Sequence, residues 1–250
     1  MTNPCVCALQ SASKLSTSAN LTVASLRVNY SNQGLDETQL TPDPIALFST
    51  WFDQARSAQE HEPNAMCLST ADESGRPSAR MVLLKAFDQR GFVWYTNYQS
   101  RKASNLSRNP FASLTFWWPT MERSVRIEGP VVRVPVEESD AYFHSRPPSS
   151  RLGAIVSDQS KEIKNRQLLE LRWQELQDAH LDDDGQLTRP IERPSHWGGY
   201  RLIPDRIEFW KGRSARLHDR IVYQRDLPEL SDHNLDQLAK LQWATKRLQP

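Results

Sequence analysis

Glycine is scarce in this chain, nine residues in 250, and none of them forms a GxGxxG, Walker or GxSxG string. A Rossmann dinucleotide site, a P-loop and a nucleophile elbow each need such a string, so all three are excluded. Cysteine is scarcer still: Cys5, Cys7 and Cys67 are too few and too badly spaced for a disulfide framework or a zinc site. Reduced thiols in a cytoplasmic protein are the expectation. The histidines (His61, His144, His180, His196, His218 and His233) show no two- or three-residue metal spacing, and no metal is expected. No apolar run approaches the ~20 residues of a transmembrane helix. A formal net charge of +1 does not mark the chain for nucleic acid or an anionic membrane. Acids are missing from the first thirty-five residues, where only Lys14 and Arg27 are charged. That stretch reads as a flexible extension, with a faint likeness to an organelle transit segment, which is ordinarily Arg-rich. The expected division is an extension over 1–40 and one domain over 41–250, long enough for a large core.

What is present becomes patterned from Thr41. TPDPIALFSTWFDQARSAQ places Ile45, Phe48, Phe52 and Ala55 at helical spacing, with Asp43 as cap and Pro44 at the first helical position. NAMCLST, SARMVLLKAF and FVWYTNY read as strands, separated by the turns ADESGRP and DQRG. SRKASNLSRNP suits a loop or a helical turn, ended by Pro110. FASLTFWW and SVRIEGPVVRVPV are further β-rich runs, the second broken by Gly129-Pro130. Helices are predicted around EESDAYFHSR and KNRQLLELRWQELQDAH, where Leu169, Trp173 and Leu176 share a face. LDDDGQLTRPIERP reads as an exposed loop before three closing strands, HWGGYRLIP, RIEFWKG and HDRIVYQR. Many antiparallel strand signals with helices between them predict an α+β domain on a barrel-like sheet.

The cations are unevenly placed. RMVLLK puts Arg80 and Lys85 at the two ends of an apolar run, an odd number of residues apart. In one continuous strand they would point to opposite faces, each toward its own negative partner. TNYQSRK brings Thr96, Ser100, Arg101 and Lys102 within seven residues, either a phosphate cradle or a solvated turn. In YFHSRPPSS, Tyr142 and Arg146 share a helical face, and Pro147-Pro148 ends that helix and can start another. Ser149 and Ser150 then lie at a fresh helix N-terminus, which favours an anion. The alternative is that Arg146 complements the preceding helix's negative end while the serines cap the next. In RLHDR, an extended chain would turn Arg216, His218 and Arg220 one way, roughly 6–7 Å apart. Three such groups repel one another unless a ligand, or a distant acid such as Glu208, lies against them. Trp210 stands nearby to wall an aromatic ligand.

Taken together, RMVLLK, YTNYQSRK, NPFASLTFWW, VRIEGPV, YFHSRPPSSRLGA, VSDQS, WGGYRL, EFWKG and RLHDR resemble the pyridoxamine 5′-phosphate oxidase family. The resemblance runs in order from about Arg27 to the C-terminal RLQP. It implies an FMN-binding split β-barrel, an antiparallel Greek-key barrel with flanking helices. It also implies a homodimer with flavin sites at the interface. The implied reaction converts pyridoxine or pyridoxamine 5′-phosphate to pyridoxal 5′-phosphate, with O2 reduced to H2O2, as in vitamin B6 salvage. The resemblance assigns Arg80, Met81, Val82 and Leu83 to the FMN site, with Tyr95, Thr96, Arg101, Lys102, Gln159, Ser160, Trp210 and Arg220. It assigns Lys85, Tyr142, Arg146 and Ser150 to the substrate phosphate, and Arg216 and His218 to the catalytic end of the substrate. Arg27 and Tyr30, in LRVNY, match a segment that closes over substrate.

One position departs from the family pattern. Ser124, in ERSVRIEG, stands where the family usually has a glutamine whose amide touches the flavin. Two other classes compete with the oxidase reading: a flavin- or anion-binding relative without oxidase activity, and another FMN-dependent oxidoreductase on the same barrel. Retention of the substrate-side set, Lys85, Tyr142, Arg146, Ser150, Arg216 and His218, argues against the first, which needs only the FMN residues. The second would be expected to alter the same phosphate pocket.

Overall fold

The computed structural model of the chain describes residues 23, 26, 29, 30, 34–182, 184–229 and 235–250. The first helix, α1 (Pro44–Ser57), starts where its cap predicts. Asp43 Oδ1 accepts the Ile45 N–H at 2.8 Å and Pro44 takes the first turn. Its buried stripe of Ile45, Phe48, Trp51 and Ala55 plugs a curled antiparallel sheet. Phe48 lies edge-on to Phe87 and Phe92, with ring centroids 4.9 Å apart in both pairs.

The sheet comprises β1 (Ala65–Ala71), β2 (Pro77–Leu83), β3 (Ala86–Asp88), β4 (Gly91–Asn97), β5 (Phe111–Trp118), β6 (Arg123–Arg133), β7 (Trp197–Leu202), β8 (Arg206–Lys211), β9 (Asp219–Gln224) and β10 (Ala244–Leu248). Its main path runs β10-β9-β8-β6-β5-β1-β2, while β7 bridges β6 to β4, and β4 pairs with β3. Strand β6 causes the curl. Residues 123–128 pair with β8, and 131–133 then pair with β7. Gly129 sits at the handover, where a Cβ would run into the Ile203 carbonyl. Gly129-Pro130 therefore redirects β6 without ending it. Side chains alternate as a half-buried strand requires. Leu114, Phe116, Trp118, Val125, Ile127, Ile207 and Phe209 face the core. Thr115, Trp117, Ser124, Arg126 and Trp210 take the other face.

Four further helices flank the sheet: α2 (Arg101–Arg108), α3 (Val136–Ser145), α4 (Pro148–Val156) and α5 (Arg166–His180). The α3–α4 break falls at Arg146-Pro147, as the proline pair predicts. On α5, Trp173 and Leu176 pack against the small cluster of Phe143, Leu152, Ala154, Ile191 and Trp197.

Three local expectations are corrected. SRKASNLSRNP forms a full helix, because Ala103 and Leu106 are buried among core side chains. SARMVLLKAF is not one strand. After Leu83 the backbone changes partner, the Leu84 N–H bonding to Asn64 O and the Lys85 N–H to Val93 O, so face parity cannot be counted from 80 to 85. RLHDR is not extended throughout either. Ser214–Arg216 is a 3-10 turn with Ala215 and Arg216 at φ 55° and 61°, and β9 begins only at Asp219. Strand β10 had no counterpart in the sequence reading.

Candidate active site

The strand break at Leu84 brings Arg80 and Lys85 to one cavity, of about 730 Å³. That lies within the roughly 300–1,000 Å³ of small-molecule sites. Met81, Val82 and Leu83 line it with them, joined by Tyr95 and Thr96 from β4 and Lys102 from α2. Tyr142, Arg146, Ser150 and Gln159 close the far wall. The two phosphate-binding groups expected on opposite sides of one strand thus share a single chamber. Arg101 and Ser160 do not line it but adjoin members that do. Arg101 opens α2 next to Lys102, and Ser160 follows Gln159 with φ 73°.

The cations of this chamber are held by neutral groups. Arg80 donates to Leu68 O at 3.1 Å, Thr70 Oγ1 at 2.9 Å and Ser78 Oγ at 2.7 Å. Lys102 Nζ donates to Gln159 Oε1 at 2.5 Å, Thr96 Oγ1 at 3.1 Å and Ser100 Oγ at 3.2 Å. Arg146 rests over the Trp197 ring, 4.7 Å from its centroid, and its buried Nη1 has no hydrogen-bond partner. Among the described residues, none of Arg80, Lys85, Lys102 and Arg146 forms an ion pair with a carboxylate. Arg201, by contrast, reaches both Asp88 and Glu138, and Arg193 reaches Asp140. Burial is the leading effect on Lys102, Arg80 and Arg146. It pushes Lys102 down to about 8, with help from the nearby Arg80 charge. It lowers Arg80 and Arg146 from the usual guanidinium range. Desolvated, uncompensated positive charge in a concave site is the arrangement that binds phosphate.

The serines of YFHSRPPSS do not cap α4, whose cap residue, Pro147, makes no side-chain bond. Ser150 lines the chamber with Tyr142 and Arg146 instead. Above them Tyr95 and Tyr142 stack at 3.9 Å and Trp197 lies nearly parallel to both. Burial, and then the Glu138 charge, push the Tyr95 hydroxyl up to about 12. It stays a neutral donor.

The remaining predicted residues line a second region of the same chain. Tyr30, Ser124 and Trp210 share one cleft with Trp117, Arg126 and Glu208. Tyr30, Trp210, Arg216 and His218 share an adjoining one, with Arg213. Tyr30 sits edge-on to both Trp210 and His218, at 5.7 and 5.5 Å. Arg27 lies outside the described residues. His218 Nδ1 accepts the Arg213 N–H at 3.1 Å, so the neutral ring carries its proton on Nε2. Arg220 meets the distant acid that the reading of RLHDR left open as an alternative: Glu208 holds it through two bonds, of 2.9 and 3.0 Å. Ser124 Oγ donates to Phe116 O at 2.8 Å. That hydroxyl is committed within its own hairpin and does not replace an amide reaching into the cleft. Within one chain, then, the expected site is divided. Arg80, Lys85, Lys102 and Arg146 stand at the β2–β4 end, whereas Ser124, Trp210, Arg216, His218 and Arg220 belong to the β6–β9 end.

Sequence reasoning missed Asn97, Ser157 and Trp197 in the first chamber and Trp117 and Arg126 in the second, and named Glu208 only as a counter-charge. For Trp117 a signal existed, the alternation of FASLTFWW. For Trp197 there was none, since its role depends on what folds above it.

Residues 52–180 match a family model described as Pyridoxamine 5′-phosphate oxidase. Residues 197–250 match one described as Pyridoxine 5′-phosphate oxidase C-terminal dimerisation region. The pyridoxine/pyridoxamine 5′-phosphate oxidase of Gloeothece citriformis is 54% identical over 202 residues, covering 81% of this chain and 92% of that protein. Its namesake from Nostoc sp. is 50% identical over 229 residues, covering 92% and 99%. Among solved structures, PhzG from Burkholderia lata, in complex with tetrahydrophenazine-1-carboxylic acid, superposes with a TM-score of 0.74 at 30% identity, covering 85% of this chain and 95% of that one. A pyridoxamine 5′-phosphate oxidase-related, FMN-binding protein from Nostoc punctiforme has the same fold, with a TM-score of 0.61 at 17% identity, covering 84% of this chain and 100% of that one.

Proposed function

The chain belongs to the pyridoxamine 5′-phosphate oxidase family, and on that premise we propose that it is an FMN-dependent oxidase acting on pyridoxine and pyridoxamine 5′-phosphate. Pyridoxal 5′-phosphate and hydrogen peroxide are the products, with ammonia released from the amine substrate after water adds. The observation that carries this reading is the chamber of four cations without a carboxylate partner, shaped for phosphorylated ligands. The site is composite. The phosphate chamber of one copy faces the His218 cleft of its partner in a homodimer, which explains why one chain keeps the two halves apart.

The residues fit FMN. The buried Lys102 ammonium and the Arg80 fork would hold its phosphate, with Thr96 and Gln159 around them. Trp210 and Ser124 would border its ring from the other chain, where Ser124 leaves room that a longer amide would fill. When bound, FMN supplies the two-electron acceptor and the route to oxygen.

This chain's own residues position the substrate. Lys85, Tyr142, Arg146 and Ser150 anchor its phosphate, and such fixing can remove several kcal/mol from a barrier. Arg216 sits at positive φ in a tight turn, which presents its side chain beside His218 in the same cleft. With Nδ1 occupied by the Arg213 N–H, neutral His218 offers an Nε2–H. It acts as a hydrogen-bond donor to the substrate's oxygen or nitrogen, not as the base, and the substrate proton leaves through water. Tyr30, edge-on to Trp210 and His218, covers this end from solvent.

The test is direct. The purified protein should be yellow, and aerobic addition of pyridoxine 5′-phosphate should yield pyridoxal 5′-phosphate and peroxide in equal amounts. A colourless protein that binds no flavin, or a yellow one that leaves both phosphorylated substrates unchanged, would overturn the proposal.

A further inference from the structure

We infer that Trp197 is a positioning residue for substrate phosphate: its ring face holds the Arg146 guanidinium so that the in-plane N–H groups stay free for the anion. This rests on the oxidase reading of the chamber and adds a residue that neither the sequence motifs nor the family resemblance assigned.

An arginine that binds a ligand anion must be oriented without being neutralised. A carboxylate would orient it, but would occupy the same in-plane donors that phosphate needs. Carboxylates orient several arginines of this chain, while Arg225 is held by two backbone carbonyls and the Trp243 ring. Asp140 grips Arg193, and Asp88 with Glu138 grip Arg201. Arg146 is held differently. Its guanidinium carbon lies 4.7 Å from the Trp197 ring centroid and 6.0 Å from that of Phe143, within cation–π reach of both. Nη1 is buried and has no partner. An aromatic face attracts the cation perpendicular to its plane and leaves every N–H unspent.

Trp197 is itself rigid. It is 6% exposed and lies parallel to Tyr95 and Tyr142, with centroids 5.5 and 6.2 Å away. Its N–H donates to Pro194 O, and its carbonyl accepts from Arg193 Nη1 at 2.6 Å. The stacked rings and the first residue of β7 therefore fix the platform, and the platform fixes Arg146. Below Arg146 the backbone is tied as well, since its carbonyl accepts Arg151 Nε at 2.8 Å.

The experiment is a double-mutant cycle on full-length flavoprotein, reading the binding of pyridoxal 5′-phosphate by its absorption. Trp197→Leu should weaken binding roughly tenfold, the scale of a desolvated cation–π contact. Trp197→Phe should lose only part of that. In an Arg146→Ala background, Trp197→Leu should add almost nothing. The KM for pyridoxine 5′-phosphate should follow the same pattern, with kcat changing far less. Equal losses in both backgrounds would make Trp197 a packing residue only and overturn the inference. Wild-type protein that binds no pyridoxal 5′-phosphate would instead sink the oxidase reading, so the two failures are distinguishable. If Trp197→Leu does not fold, the cycle run with Trp197→Phe decides: measurable coupling to Arg146 supports the inference, and none overturns it.

Discussion

Lys102 makes the proposed phosphate seat testable without turnover. The side chain is 7% exposed, surrounded by hydroxyl and amide oxygens, and burial pushes its ammonium from 10.5 down to about 8. A fall of that size corresponds to roughly 3 kcal/mol against the charged form before solvent screening, and less after it. The folded pKa is the lower one, so between about 8 and 10.5 the unfolded chain binds more protons. Stability without ligand should rise with pH across that window, and the full penalty should apply below it. A phosphate dianion against Nζ reverses the effect by favouring the charged form, so binding draws a proton onto Lys102. At pH 8 the free side chain is about half protonated, and binding FMN should take up about half a proton per site. The FMN phosphate contributes little, because its second pKa of about 6 leaves it already a dianion. Calorimetric titrations at pH 8 in two buffers of different ionisation enthalpy measure the uptake. Lys102→Met should abolish it and weaken FMN by roughly 10- to 100-fold, the loss of one charged hydrogen bond. Uptake that is absent in wild type, or unchanged in Lys102→Met, would refute the reasoning.

Three further outcomes follow from the geometry. Because Ser124 Oγ is spent on Phe116 O, Ser124→Gln should tighten FMN while turnover stays intact; weaker binding in a flavin fluorescence titration would reject this. Arg220→Ala should lose flavin on gel filtration, whereas Arg216→Ala should keep flavin and lose turnover; equal flavin loss would erase that division of roles. If each site is built from two chains, Arg146→Ala and His218→Ala proteins, each inactive alone, should regain about a quarter of wild-type activity when unfolded and refolded together. Half of the dimers are then mixed, and one of their two sites is intact. No recovery, or a fully flavinated monomer in light scattering, would contradict the shared site.

Much of this was legible because it is local. The Asp43-Pro44 start of α1, the Arg146-Pro147 break between α3 and α4, and the hydrophobic alternation of FASLTFWW each follow from the chemistry of a few neighbouring residues. The cationic clusters were legible as residue types, and the order of the motifs pointed to the family before any geometry was known. Parity arguments failed wherever the backbone changed partner. Arg80 and Lys85 were assigned to opposite faces because nothing in MVLL marks the switch from β1 pairing to β4 pairing. RLHDR failed for a related reason, a left-handed turn at two residues other than glycine, which local preference argues against.

By itself, then, the sequence determined which charged and aromatic groups the protein has and the chemical class of ligand they suit. Only the tertiary structure decided which cations are left without an acid. That depends on the neighbours brought up from far along the chain: Glu208 beside Arg220, Trp197 beneath Arg146, and Gln159 against Lys102. The physical reason is range. Capping, turn chemistry and alternation act over a few residues, whereas the desolvation and compensation of a charge are set by every group within several ångströms, whatever its place in the sequence.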